Sequence, residues 1–201
     1  MTTFGGILSL LRSMVSATHF RVWAAQTRSA IMAVETPLDP PRARAVGPDP
    51  DRVLLFGSDV FMGRGVLSHD IAFPGHLARA VSKATRRGVD IHIEAHASLK
   101  LDAAVERARL LDLSRYDAVL IDIGLGDALA ATPAPRWAAQ LEGLLHIFSS
   151  QVPASARVFF IESPDPTIVP AFRSSGGEQV ARTFRHYNSR SAEVNSPGFR
   201  S

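Results

Sequence analysis

Gly57-Ser58-Asp59 opens a glycine-spaced turn, GSDVFMGRG, directly after the apolar run VLLF. A serine or aspartate placed where a strand gives way to a helix can attack a carbonyl while neighbouring backbone amides hold the developing oxyanion. Two other uses of such a turn fail on composition and spacing. A P-loop requires a Gly-Lys pair followed by Ser or Thr, and this loop has no lysine. A dinucleotide fingerprint requires Gly-x-Gly-x-x-Gly, whereas the glycines here are Gly57, Gly63 and Gly65. Ser58 and Asp59 are therefore the candidate reacting groups. The ordinary alternatives are a turn-stabilising hydroxyl for Ser58 and a helix-capping carboxylate for Asp59.

Three further strand-end loops, at 95–100, 124–128 and 163–168, could complete a site. GLGDAL supplies Gly124, Gly126 and Asp127, and EAHASLK supplies Ala97 and Ser98. His69 and His76 flank the first loop and are the candidates to line its crevice as bases, although the sequence assigns neither a partner. His146 lies on an apolar helical stripe and reads as structural, and His186 stands alone in FRHYNSR. His92 and His96 are four apart, but VDIHIEA alternates as a strand, so that spacing does not place them on one helical face. No metal site is expected from them. With no cysteine, thiolate chemistry and disulfides are excluded, and no nicotinamide or flavin cofactor is indicated.

These loops must be positioned by alternating strands and helices. RVLLF at 52–56, VDIHIEA at 89–95, YDAVLIDIG at 116–124 and ARVFFIES at 156–163 read as strands, the third apolar enough to be central. Between them, FPGHLARAVSKATRRG carries Pro74 in its first turn and Gly88 as a terminator, and LDAAVERARLLDL and PRWAAQLEGLLHIFSS have apolar residues at helical spacing. Parallel βαβ units follow, with a crevice beyond the carboxyl ends of the strands. All the candidate loops then lie on one edge.

Outside this alternation, residues 7–34 read as an amphipathic helix and 35–51, ETPLDPPRARAVGPDPD, as a Pro-rich linker. The expected division is an N-terminal helical appendage at 1–34, a linker at 35–51 and an α/β body at 52–201. The tail holds a helix from about residue 178 to 192 and no convincing fifth strand, so the sheet is expected to be short or to lack its final elements.

The 46% hydrophobic fraction is that of a globular chain. The 22 Lys and Arg residues against 19 Asp and Glu are scattered, which argues against nucleic acid as a partner. No apolar run approaches the ~20 residues of a membrane span. A signal peptide is not expected. The expected location is cytoplasmic, with the N-terminal helix available for peripheral membrane contact, and the oligomeric state is left open.

The strand plus GSDVFMGRGV, followed by AFPGHLARAVSKATRRGVDIHIEA, LDLSRYDAVLIDIGLGDAL, PRWAAQLEGLL and ARVFFIESPDP, resembles the SGNH or GDSL hydrolases in order and spacing. The resemblance covers about Arg52 to Pro166. It implies a three-layer, flavodoxin-like, mostly parallel α/β sheet, and hydrolysis of small esters, lipids or carbohydrate esters through a Ser in Gly-Asp-Ser. It also implies an Asn oxyanion donor in Gly-x-Asn-Asp, a glycine donor after the second strand and a late Asp-x-x-His. The chain departs at all four points. Asp59 stands at the serine position with Ser58 one residue earlier, Gly126 replaces the asparagine, EAHASLKL holds no glycine, so that the implied amide donor would have to come from Ala97 or Ser98, and no Asp-x-x-His follows. Three readings therefore compete: a hydrolase with atypical residues, a catalytically inactive binding scaffold, and a C-terminally truncated esterase.

Overall fold

The computed structural model describes residues 3–194, and side chains over 14–191. The two apolar runs that alternate least, β2 (Asp51–Gly57) and β4 (Ala118–Asp122), lie side by side in the sheet's centre. β3 (Val89–Ala95) pairs in parallel with β2, and β5 (Arg157–Phe160) in parallel with β4. A further strand, β1 (Arg42–Ala45), pairs antiparallel with β3, giving the order β1-β3-β2-β4-β5. The fifth strand thus lies ahead of the α/β alternation, inside the Pro-rich stretch.

Its sequence explains both its place and its concealment. RARA is short, is preceded by Pro40 and Pro41, and buries only Ala43, a pattern tolerated at a sheet edge where one side of the backbone needs no donor. The following turn is tied to the corner before β3, with the Gly88 amide donating to the Pro48 carbonyl at 2.8 Å. Gly88 therefore serves a close backbone approach, since a Cβ there would meet the Gly47 carbonyl oxygen at 2.6 Å. The left-handed residue ending the preceding helix is Arg86 instead.

Helices cover both faces. α2 (Phe73–Thr85) packs Ala78 against Ala43, Val53, Leu55, Ile91 and Ile93 on one side. On the other, Leu54, Phe56, Val119 and Ile121 meet α3 (Leu101–Ala108), α5 (Ala134–Gln151) and α6 (Ser175–Val194), with the short α4 (Leu125–Leu129) between the third and fifth segments. Each fully buried Leu or Phe in these layers contributes about 1.5–3 kcal/mol relative to exposure. The result is a three-layer, flavodoxin-like α/β fold with a mostly parallel sheet.

α1 (Thr3–Met32) docks on this body. Ala24 joins the core cluster, Thr27 is buried, and Trp23 meets Phe172 edge-on at 6.0 Å beside the start of α6. Its far end reaches the first loop, where the Arg64 guanidinium donates to the Val34 carbonyl at 2.8 Å.

Candidate functional site

The carboxyl ends of β2, β3 and β4 bring the first loop, residues 95–100 and residues 122–132 together. Gly57 makes this possible. Its φ of +150° accompanies an approach so close that a Cβ would lie 1.9 Å from the Asp122 carbonyl oxygen. The Ser58 amide donates to that carbonyl at 2.9 Å, and the Gly57 carbonyl accepts from the His96 amide at 3.0 Å.

Ser58 is only 2% exposed. Its hydroxyl donates to Asp122 Oδ2 at 3.4 Å, while Ser163 donates to Oδ1. Asp122 is buried at the end of an apolar strand, and burial pushes its carboxyl above the ordinary carboxylate range. The Ser163 hydrogen bond opposes that rise and the nearby negative charge of Asp59 reinforces it. Sequence reading passed over this residue. The available signal was a single carboxylate inside AVLID, where an ionisable group must find partners.

Asp59 is shared between two segments. Its Oδ2 accepts from the Ser98 amide at 2.9 Å and its Oδ1 from Arg64 Nε at 3.0 Å. The Ser98 amide is thus already committed, and a left-handed φ of 48° at Ser98 bends the loop around it. Ala97 is half-buried beside it, and the Leu99 amide closes the turn on the His96 carbonyl at 3.2 Å. Gly63 ends the first loop at φ 63°, facing Pro37 and Ala72.

Asp127 repeats the pattern. It accepts from the Leu101 amide and the Thr132 hydroxyl, both at 2.8 Å, so it fastens the start of α3 to the end of α4. Burial raises its pKa despite those bonds. Gly124, at φ +121°, opens α4 beside Phe184, and Gly126 packs so tightly that a Cβ would meet the Ser98 carbonyl oxygen at 2.3 Å. The Thr132 carbonyl accepts from Tyr187, whose phenol burial and the Asp127 charge push up to about 12. Tyr187 in turn stacks on Trp137 at 4.2 Å.

The histidines are engaged elsewhere or exposed. His69 is buried and its Nδ1 pairs with Asp39 at 2.8 Å; the same carboxylate accepts from the His69 amide. His76 is exposed on α2, and His146 and His186 are exposed on α5 and α6. His92 pairs with Tyr116 at 2.6 Å and His96 with Glu94 at 2.7 Å. Among the described residues, no histidine hydrogen-bonds Ser58, and no group of three His, Asp or Glu side chains converges as a metal site. Three residues after Asp165 stands the exposed Ile168 rather than a histidine. Asp165 instead caps the turn through the Thr167 hydroxyl at 2.7 Å and amide at 2.9 Å and pairs with Arg185, which together hold its carboxyl below the usual range.

No family model and no curated protein matches the chain. Solved structures do. AlinE4, an SGNH-hydrolase family esterase, is 14% identical over 78% of this chain and 85% of its own, with a TM-score of 0.50. A putative lipolytic protein of the G-D-S-L family from Desulfitobacterium hafniense DCB-2 is also 14% identical, over 72% of this chain and 73% of its own, with a TM-score of 0.51. This is a distant likeness of fold.

Proposed function

We propose that the chain is an SGNH-hydrolase-like scaffold that binds a ligand at the carboxyl edge of its sheet without Ser-His-Asp hydrolysis. The observation that carries this reading is the environment of Ser58. Its hydroxyl is buried against Asp122, and no imidazole among the described residues reaches it. Without a base, a serine hydroxyl is a weak nucleophile near neutral pH. Asp59, Asp122 and Asp127 then serve as staples between loops, and the Ser98 amide, spent on Asp59, is no longer an oxyanion donor.

A cavity of about 700 Å³ between α1, Lys100 and residues 129–131 offers a place for a ligand. Phe20, Ala24 and Leu129 give it apolar wall, and Arg21 and Arg28 add positive charge, with Arg28 Nε buried and unpartnered among the described residues. A small ester, lipid or carbohydrate ligand suits this lining. Peripheral membrane contact through α1, where Met14, Val15 and Val22 are exposed, and a cytoplasmic location belong to the same proposal.

The test is turnover of p-nitrophenyl acetate and butyrate by the purified chain, beside Ser58→Ala, Asp59→Ala and a protein-free control. No rate above the control is expected from any sample. Turnover that disappears in a folded S58A variant would overturn the scaffold reading and make Ser58 a displaced nucleophile.

A further inference from the structure

A second cavity, independent of the carboxyl-edge site, lies on the exposed strip of sheet formed by β1 and β3. Alternation puts it there. Ala43, Val89, Ile91 and Ile93 turn towards α2, so Arg42, Arg44, Asp90 and His92 turn to the opposite face. The core that α3 and α5 build on that face centres on β2 and β4, through Leu54, Phe56, Val119 and Ile121, leaving Asp90 and His92 half-buried at its margin. The cavity measures about 730 Å³, within the roughly 300–1,000 Å³ of small-molecule sites.

Its charge is unbalanced. Arg42, Arg44, Arg52 and Arg115 all line it. Three carboxylates line it too, but two are already taken. Asp90 holds Arg44 through two bonds, at 2.5 and 3.1 Å, and Asp39 holds His69. Burial would raise Asp39, and the His69 amide and ring outweigh it, keeping that carboxyl ionised and occupied. Asp70 is the third carboxylate of the lining; Asp90 also acts on Arg52, and Asp112, outside the lining, acts on Arg115. Arg42 and Arg52 form no ion pair among the described residues, and Arg115 lies over the Tyr116 ring at 5.1 Å from its centroid.

The floor is fixed and mostly neutral. Tyr116 is buried and hydrogen-bonds His92 at 2.6 Å with the two rings stacked. Partial burial, then the Arg115 charge, disfavours the protonated imidazole. Guanidinium groups around a rigid polar floor match the geometry of phosphate oxygens, which they bind in pairs of parallel hydrogen bonds.

We infer that this strip is a binding site for a small phosphate-bearing anion, a phosphomonoester or diphosphate, held by Arg42, Arg52 and Arg115. It shares no residue with the carboxyl-edge site and stands whether or not that site turns over esters.

The probe is pyrophosphate, titrated calorimetrically into the full chain at fixed ionic strength. The His92 ring proton shifts are followed by NMR. Saturable binding with a His92 shift is expected, weakened about tenfold or more in Arg42→Ala/Arg52→Ala. Arg109→Ala/Arg136→Ala removes the same charge from another surface and is expected to bind like the parent. Absence of binding, or equal weakening in both double variants, would overturn the site. Both pairs are exposed, so thermal melts can verify folding before either result is read.

Discussion

The reactive-looking residues are ordinary types in committed positions. Asp59, Asp122 and Asp127 each accept bonds from a neighbouring loop, and the two that are most buried have raised pKa values. The sign of their pH dependence follows. A carboxyl with a raised folded pKa binds its proton more tightly in the native state, so its contribution is most favourable at low pH. Stability is lost as pH rises from the unfolded value, about 3.9, through the folded one. Asp122→Asn keeps an acceptor for one serine and removes the buried charge. Its stability at pH 7 should equal or exceed that of the parent, with a flatter dependence over that window, checked by urea unfolding from pH 4 to 8. A large loss with the slope unchanged would place the pH dependence elsewhere. Gly126→Asn, which restores the donor implied by family resemblance, should instead cost about 3 kcal/mol, because its Cβ collides with two carbonyl oxygens. A stable G126N variant in the same unfolding assay would contradict that packing. Sequence located this cluster of loops through strand ends and glycines, and named Ser58, Asp59 and Asp127. It placed Ser163 in a loop of the same edge but revealed neither Asp122 nor the bond between them, because a side chain's bonding partners come from strands and loops distant in sequence.

At the scale of elements, strand periodicity made β2 to β5 legible, while β1 was hidden by its own composition. Two prolines and alternating arginines look like linker until β3 provides a ladder for them. The same limit applies to α1, where Trp23, Ala24 and Thr27 dock amid neighbours that are mostly exposed over residues 14–32. Trp23 fills the space over Gly176, where even an added Cβ would lie 2.5 Å from its ring. Trp23→Ala should therefore cost about 2 kcal/mol, less than a fully buried tryptophan because this one is only half-buried. Chemical denaturation measures it, and an unchanged midpoint would mean that α1 adds nothing to the body's stability.

For the molecule as a whole, the open issue is whether α1 is an appendage or part of one cooperative unit. We propose the second. The two hydrophobic clusters share the strands of a single sheet, and Ala24 belongs to the larger of them, so undocking α1 exposes core surface. The Arg64 bond to Val34 and the Gly65 amide bond to Glu35, at 2.9 Å, fasten the other end of the segment to the first loop. A body joined in this way is expected to unfold in one step, as small single domains do. The chain has two tryptophans, Trp23 in α1 and Trp137 in the core of α5, so Trp137→Phe leaves α1 with the sole indole reporter. In that variant, Trp23 emission and far-UV circular dichroism should share one midpoint in urea. Trp23 reporting an earlier transition would separate α1 from the body and return it to the status of an appendage. It would also expose the walls of the cavity that α1 forms with Leu129 and Lys100, so ligand binding there would then be coupled to docking of the helix.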